Sequence, residues 1–234
     1  MQTTTIKVNE ISKCFKKKTI LKGVSFTIYQ GEVVGLIGVN GSGKSTLIKI
    51  VLGLLKADSG TTELIGSRGS DKIDKQKIGV VFDNHGLFPG FSVNKNLLLT
   101  ARMKGCGQED IDRVLEQVNM KASKDEKVKK LSYGMKQRVA IANALLANPE
   151  VVIMDEPTNG VDIHGIIEVR NIIDTLAKEG KTVILASHHL SELEKVCSRI
   201  IVMEQGQVKI DAPYEDVKKQ YENLENIFVN QRNN

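Results

Sequence analysis

Apolar residues along the chain follow two different spacings, and the order of these spacings predicts the fold. Short β-branched runs are typical of strands, whereas apolar residues three or four positions apart are typical of helices. The predicted strands cover 4–8, 24–28, 33–37, 61–65, 78–82, 151–154, 182–187 and 200–203. The predicted helices cover 43–55, 135–147, 165–178 and 190–196. Because strands and helices alternate, we predict an α/β fold with a mostly parallel sheet and helices on both faces.

The pattern changes within 91–130, where helical spacing and frequent charges replace the short strands. This change predicts an α-helical subdomain, 84–135, inserted into a core formed by 1–83 and 136–210. The first strands of the core are expected to form an antiparallel β portion. Residues 211–234 are polar and predict a short tail with a helix that frays. The chain is therefore expected to form one domain with an inserted subdomain.

Residues Gly38–Thr46 follow the pattern of a phosphate-binding loop and lie between a predicted strand and a predicted helix. Glycines allow backbone N–H groups to close around phosphate oxygens, and the positive end of the following helix favours the same anion. Lys44 can reach the terminal phosphates, and the Ser45 hydroxyl can bind Mg²⁺. The candidate binding residues are Gly38, Val39, Asn40, Gly41, Ser42, Gly43, Lys44, Ser45 and Thr46. The sequence therefore predicts a nucleoside triphosphate site in a P-loop NTPase.

The composition of the chain limits the cellular environments in which this site can function. Hydrophobic residues make up 41% of the 234-residue chain, but no stretch approaches the roughly 18 apolar residues that a membrane-spanning helix needs. The N-terminus has no apolar signal-peptide core. Cys14, Cys106 and Cys197 are far apart, with neither disulfide nor zinc-ligand spacing. These features favour a soluble intracellular protein with reduced thiols, and the net charge of +5 indicates no particular partner.

Two adjacent acids, Asp155 and Glu156, directly follow the predicted buried strand 151–154. Sheets of this kind bind ligands at the carboxyl ends of their strands, so Asp155 can hold Mg²⁺ through water. Glu156 lies one residue further on and is the candidate general base for an attacking water. Taken alone, two adjacent acids also fit a turn or a helix N-cap. With the phosphate loop upstream, they favour the metal and general-base roles.

The segment Leu131–Arg138, called the signature segment below, resembles the signature sequence of ATP-binding cassette (ABC) proteins, usually Leu-Ser-Gly-Gly-Gln. Ser132 is placed to cap a helix whose free N–H groups, together with that of Gly134, can bind a γ-phosphate. In this family those contacts are made to the nucleotide of the opposite subunit. The resemblance therefore implies a head-to-tail dimer with a second ABC ATPase subunit and two ATP molecules in the interface.

Three further residues match positions of the same family. Phe15, 29 residues before Lys44, matches the aromatic residue, usually Tyr, that stacks on adenine; a buried core Phe is the alternative. Asp162 ends 159–162, which resembles the loop through which the two subunits sense each other, although a plain Asn-Gly turn also fits. His188 matches the histidine that hydrogen-bonds the γ-phosphate and orients the attacking water. The resemblance thus covers nearly the whole chain.

Two departures from the family pattern narrow the resemblance. Asp83 occupies the position of a glutamine that coordinates Mg²⁺ and follows the movement of a membrane partner; Asp can ligate the metal but is shorter and charged. A carboxylate here resembles the lantibiotic-immunity branch, which carries Glu. Tyr133 and Met135 replace Gly and Gln in the signature segment. This form is similar to exporters of antibiotics and antimicrobial peptides, of the daunorubicin- and bacitracin-resistance type.

The resemblance implies an ATP-hydrolysing subunit that works at the cytoplasmic face of the membrane, bound to a separate transmembrane permease subunit and exporting a drug, antibiotic or antimicrobial peptide. The permease is expected to dock over 83–99. A soluble ABC ATPase acting on DNA or ribosomes is the alternative, but it would carry a long coiled-coil insertion or a second cassette. A phosphate-loop kinase leaves the signature segment and His188 without a role. No nucleic-acid partner is therefore expected.

Overall fold

The chain divides into two compact units, which are described separately. A computed structural model describes residues 3–64, 77–221 and 224–230, without the side chains of 228–230. Unit 1 comprises Met1–Ile73 and Ile184–Asn234, and unit 2 comprises Asp74–Val183. Within the described parts of the chain, no helix has both the length and the apolar character needed to cross a membrane.

Unit 1 begins with an antiparallel sheet of three strands. The strands are β1 (Thr4–Phe15), β2 (Lys18–Tyr29) and β4 (Ser59–Leu64), in the order β2-β1-β4. Ile6 of β1 lies opposite both Ile28 of β2 and Leu64 of β4. All three side chains are buried. Since directly opposite residues point to the same side of a sheet, they form part of one apolar face.

A second part of unit 1 carries the phosphate loop. Strand β3 (Val33–Ile37) runs parallel to β8 (Arg199–Glu204), and β9 (Gln207–Pro213) returns antiparallel to β8. Every residue of β3 is buried, as expected for a parallel strand covered on both faces. The helices of unit 1 are α1 (Lys44–Val51), α6 (Leu190–Leu193), α7 (Tyr214–Tyr221) and α8 (Glu225–Asn230).

Unit 2 joins a pair of parallel strands to helices. β5 (Ile78–Val81) pairs with β6 (Val151–Asp155), and the helices are α2 (Val93–Lys104), α3 (Gln108–Gln117), α4 (Tyr133–Leu145) and α5 (Ile163–Lys178). The predicted helical residues 84–135 lie inside this unit, where Leu97 and Leu115 are fully buried. The boundary at Val183 lies within strand β7 (Thr182–Ser187).

The α/β class, the antiparallel N-terminal strands and the parallel pairing of later strands agree with the sequence prediction. Strand β1 continues well past the predicted 4–8. Its register shifts between Val8 and Ile11, and Glu10 has a φ of 53°, so a β-bulge interrupts the two-residue spacing on which the prediction depended. Helix α1 ends before residue 55, next to Gly53 at a φ of 65°.

The C-terminal part differs from the expected polar tail. Residues 211–213 belong to β9, and three later side chains are buried: Val217, Leu224 and Ile227. Apolar residues spaced so widely escape a prediction based on local composition, but they are enough to hold a short helix against a core. The predicted strand end at residue 65 and the predicted tail residues 222–223 and 231–234 lie outside the described residues.

Candidate nucleotide-binding site

The backbone of the phosphate loop in unit 1 requires glycine at three positions, Gly38, Gly41 and Gly43. A Cβ on Gly38 would collide with the carbonyl oxygen of Met203 and with Ser42 Oγ. Gly41 and Gly43 have φ values of 84° and 109°, in the region that favours glycine. The loop therefore follows the end of β3 closely and turns directly into α1.

The start of α1 is open to an anion. Gly43 is its N-cap residue and has no side chain that could cap the first turn. That turn contains no acidic residue either. Free N–H groups and the positive end of the helix dipole both favour a phosphate here. The N-terminus of α1 thus has the chemistry that the sequence predicts.

Lys44 lies inside the loop and not on its surface. Its side chain is buried, with 6% exposure, and Nζ donates a hydrogen bond of 2.6 Å to the carbonyl oxygen of Gly38. Ser42 is also buried, and its Oγ has no hydrogen-bond partner among the described residues. A buried hydroxyl without a partner is costly, so a phosphate oxygen as acceptor would stabilise it. Val39, Asn40 and Ser45 are exposed along the same loop, and Thr46 is half-buried.

The structure brings His188 to the phosphate loop. Both line a cavity of about 490 Å³, whose wall consists of Ile37, Gly38, Val39, Asn40, His188, His189, Leu190, Ser191 and Glu225. The rings of His188 and His189 lie 4.2 Å apart between centroids. The sequence predicted His188 here but assigned no role to His189 and did not anticipate Glu225, which comes from α8. Nothing in the local sequence around Glu225 signals this position.

Phe15 is not a core residue. It ends β1 with 46% of its surface exposed, and Lys13 Nζ lies 5.6 Å from the centroid of its ring. The neighbouring Cys14 is exposed as well, and its backbone N–H donates to Asp58 Oδ2 at 2.6 Å. The exposed ring can stack on a flat ligand, whereas the alternative of a buried core Phe is wrong.

The acid pair of unit 2 lies where β6 ends. Asp155 is the last residue of this strand and is 8% exposed. Glu156 follows at a φ of 53°, a backbone conformation that costs a residue with a Cβ about 1–3 kcal/mol. Such strain concentrates at functional sites, where it aims a side chain. A nearly buried carboxylate at the strand end fits the metal role, since Mg²⁺ prefers carboxylate oxygen, and the half-buried Glu156 beside it fits the base role.

The signature segment and the 159–162 loop place two helix starts next to each other. Ser132 caps α4, with its Oγ accepting the N–H of Met135 at 3.2 Å, and Asp162 caps α5, with its Oδ1 accepting the N–H of Gly165 at 2.8 Å. A Cβ on Gly165 would lie 3.4 Å from the Cα of Gly134. The two helix starts are therefore in close proximity, and glycine at 165 leaves room for the Val161 side chain, whose Cγ1 would collide with an added Cβ.

Asp83 contacts the 159–162 loop. It is exposed, and its Oδ1 accepts a long hydrogen bond of 3.4 Å from Asn159 Nδ2. His85, two residues later, has a φ of 54°, and burial lowers the pKa of its imidazole, while the neighbouring Gln137 side chain, as an acceptor, and the charge of Asp83 oppose that shift. Sequence analysis did not single out His85, because a lone histidine in a loop belongs to no motif.

The predicted site residues divide between the units. Unit 1 contains Phe15, Gly38, Val39, Asn40, Gly41, Ser42, Gly43, Lys44, Ser45, Thr46 and His188. Unit 2 contains Asp83, Ser132, Gly134, Asp155, Glu156 and Asp162. A phosphate loop between a buried strand and an uncapped helix, in a chain that also carries an acid pair after a buried strand, defines a P-loop nucleotide-binding protein.

Comparison with known proteins identifies the family. Residues 21–159 match the model of the ABC transporter family. The lantibiotic transport ATP-binding protein SrtF of Streptococcus pyogenes is 37% identical over 226 residues, covering 97% of this chain and 96% of SrtF. The bacitracin transport ATP-binding protein BcrA of Bacillus licheniformis is 36% identical over 221 residues, covering 93% and 72% of the two chains.

A solved structure agrees with the sequence relatives. The dimeric post-hydrolysis structure of the ATP-binding cassette MJ0796, bound to ADP and Pi, has a TM-score of 0.81 and 28% identity, covering 90% of this chain and 99% of MJ0796. The chain belongs to the ABC transporter family and is an ATP-binding, ATP-hydrolysing subunit of that family.

Proposed function

We propose that this ATPase drives a separate transmembrane permease subunit, at the cytoplasmic face of the membrane, to export an antibiotic or antimicrobial peptide. The observation that carries the proposal is the match to SrtF along 97% of the chain, together with 36% identity to BcrA. Both names describe transport of a peptide antibiotic. The Tyr133 and Met135 variant of the signature segment points to the same branch.

In the proposed cycle, unit 1 holds the triphosphate of ATP. The N–H groups of the phosphate loop and the uncapped start of α1 bind phosphate oxygens. Lys44 exchanges its hydrogen bond to the Gly38 carbonyl for a charge-assisted one to the terminal phosphates, and Phe15 stacks on the adenine. His188 hydrogen-bonds the γ-phosphate from the wall of the shared cavity.

Glu156 is proposed to accept a proton from the attacking water. It directly follows Asp155 and has a φ of 53°, the kind of strained backbone that is concentrated at functional sites. The residues proposed to hold Mg²⁺ are Ser45, Asp83 and Asp155, all with oxygen ligands. When bound, the ion would neutralise negative charge on the phosphates. The carboxylate of Asp155, at the end of β6 and 8% exposed, offers such a cation the oxygen ligand that it prefers.

We further propose that two ATPase subunits, identical or related, close head to tail over two ATP molecules. The support is the open surface of the signature segment: Ser132 and Asp162 are exposed at helix starts, next to the buried Gly134. The structurally similar MJ0796 cassette is itself dimeric in its ADP- and Pi-bound form. In this arrangement Ser132 and Gly134 contact the γ-phosphate on the partner subunit, and hydrolysis releases the dimer.

The docking surface proposed for the permease is an exposed apolar group in unit 2. Phe88, Leu99 and Met103 are 56%, 37% and 88% exposed. Phe91 packs against Phe88, with centroids 5.6 Å apart, and Lys95 lies over the Phe91 ring. The pair of Phe88 and Phe91 is thus exposed in part, and exposed apolar side chains are typical of protein–protein contact sites. Phe88 lies only five residues after Asp83, so movement of a docked permease could be transmitted to Asp83 through this short stretch of chain.

The proposal is tested by purifying the tagged Glu156→Gln protein with Mg-ATP from native membranes solubilised in mild detergent. We expect a polytopic membrane protein at stoichiometric yield, because the closed state is retained. A matched sample with Lys44→Ala as second change controls for capture that does not depend on nucleotide. Recovery of a soluble dimer alone, or of one carrying nucleic acid or ribosomes, would contradict the transporter role and favour the soluble ABC ATPase.

A reconstitution experiment tests the direction of transport. The copurified permease and this ATPase are placed in vesicles with the nucleotide-binding side outward, and a labelled peptide antibiotic is added outside. Export corresponds to ATP-dependent accumulation inside the vesicles. ATP-driven movement of the peptide toward the nucleotide side would overturn the assignment as an exporter.

A further inference from the structure

The ring of Tyr133 is held on two sides by loops that are distant in sequence. The imidazole of His85 meets it edge-on, with ring centroids 4.7 Å apart and an interplanar angle of 65°. On another side lies Gly160, where a Cβ would be only 3.5 Å from the Tyr133 ring. Related signature sequences usually have Gly at this position, so this contact depends on the residues of this chain.

His85 is itself fixed in place. Its backbone has a φ of 54°, which is uncommon for a residue with a Cβ, and the side chain of Gln137 lies beside its ring. Gln137 lies on α4 and is only 2% exposed. His85 therefore contacts α4 twice, through Tyr133 and through Gln137. The hydrogen bond between Asp83 and Asn159 ties the same two loops together a short distance away.

These contacts converge on the start of α4. Tyr133 is the first residue of that helix, and its neighbours in sequence are Ser132 and Gly134. A side chain that packs on both sides fixes the backbone to which it is attached, and a shift in either loop must move that backbone. The contacts involve three segments of unit 2: the loop with Asp83 and His85, the signature segment, and the 159–162 loop.

We propose that Tyr133 is a positioning residue, which uses its ring contacts with His85 and Gly160 to hold Ser132 and Gly134 ready for ATP-dependent closure of the dimer. The inference rests on the proposed function, since it assumes that Ser132 and Gly134 bind nucleotide on a second subunit. The role is distinct from a contribution to the core, because 39% of the Tyr133 surface is exposed.

The test measures the Mg-ATP concentration that gives half-maximal dimer, in the Glu156→Gln background, by sedimentation velocity. We expect Tyr133→Ala and His85→Ala each to raise this concentration about fivefold, in line with the loss of one aromatic contact. The double variant should show little more than either single change, because both remove the same contact. Tyr133→Phe keeps the ring and should restore closure, and His164→Ala provides a matched control at an exposed histidine of α5.

Two further measurements separate positioning from general damage. Binding of a fluorescent ATP analogue to dilute monomer should be unchanged in Tyr133→Ala, since the phosphate loop is intact. Amide hydrogen exchange in the first turn of α4 should accelerate in both alanine variants and not in Tyr133→Phe. Loss of a merely structural residue would instead raise exchange throughout unit 2.

The outcomes distinguish the two proposals. If the parent Glu156→Gln protein fails to dimerise at saturating Mg-ATP, the proposed function fails and Tyr133 has no closure to support. If the parent dimerises and Tyr133→Ala does so at the same ATP concentration, the positioning role alone is overturned. Additive effects of Tyr133→Ala and His85→Ala would likewise contradict it, because they would show that the two rings act separately.

Discussion

The N-termini of α1 and α4 differ in how they are completed, although both are proposed to bind triphosphate. The N-cap of α1 is Gly43, which has no side chain to accept a hydrogen bond, so a phosphate can act as acceptor for the N–H groups of the first turn. The N-cap of α4 is Ser132, whose own hydroxyl already accepts the N–H of Met135. We therefore expect the α1 end to bind ATP first and firmly. The α4 end should add a weaker contact that matters only once ATP is in place.

Among the variants considered, the largest loss of activity is expected from one that changes neither the N-terminus of α1 nor that of α4. Glu156→Gln removes the proposed general base, so turnover should fall about 10²- to 10⁴-fold while ATP binding is retained. Phosphate release and binding of a fluorescent ATP analogue measure the two quantities. Glu109→Gln, on exposed surface of the same unit, controls for the change in charge. Unaltered turnover would mean that another group accepts the proton.

Lys44→Ala tests the α1 end directly. Loss of a buried charge-assisted hydrogen bond to phosphate is expected to cost about 1.5–3 kcal/mol, which weakens ATP binding roughly 10- to 150-fold. Isothermal titration calorimetry measures this affinity. Lys49→Ala is the matched control, because Lys49 lies exposed on the same helix. If Lys44→Ala and the unchanged protein bind ATP with equal affinity, the N-terminus of α1 is not the main ATP-binding site.

Ser132→Ala tests the N-terminus of α4, which is expected to affect dimer closure but not ATP binding by the monomer. Loss of the cap should lower the free energy of unfolding by about 1 kcal/mol, and ATP binding by the monomer should not change. Dimer formation with Mg-ATP should weaken. Ser132→Asn retains a good capping residue, so it should restore the free energy of unfolding without restoring closure. A drop in monomer ATP affinity in either variant would show that the two ends are not independent.

The smallest effect is expected at the base-binding end of unit 1. Phe15→Ala should weaken ATP binding about fivefold, because stacking on one base contributes about 1 kcal/mol or somewhat more. Phe15→Tyr should bind normally, and triphosphate without a base should bind both variants equally. If Phe15→Ala also loses affinity for inorganic triphosphate, the ring acts on the loop and not on the base.

The parts of the site that could be predicted are those built from adjacent residues. Gly38–Thr46 directly follows a strand and contains the start of a helix, so one continuous stretch of sequence is enough to predict its phosphate-binding chemistry. The contact between His85 and Tyr133 joins segments nearly fifty residues apart, and no periodicity or motif encodes it. Glu225 escaped prediction for the same reason, since two buried residues, Leu224 and Ile227, decide where it lies.

At two other positions the backbone conformation differs from what the local hydrophobic pattern predicts. The bulge at Glu10 lengthened β1 beyond its apolar alternation, because a sheet tolerates an extra residue that a two-residue period does not describe. The strained φ of Glu156 was equally invisible in sequence, although the residue itself was singled out. Conformations of this kind are held by surrounding structure, so they follow from the fold and not from propensity.

The exposure of Cys14 next to Phe15 gives the unmodified protein a site for chemical labelling. The Cys197 thiol lies against Gly35, 3.1 Å from where a Cβ would stand, and burial raises its pKa, so it stays protonated and unreactive. Burial and Asp110 raise the pKa of Cys106 as well. A maleimide dye should therefore attach first at Cys14, the most exposed cysteine of the three. Its fluorescence would report arrival of a base at the neighbouring ring without any engineered residue.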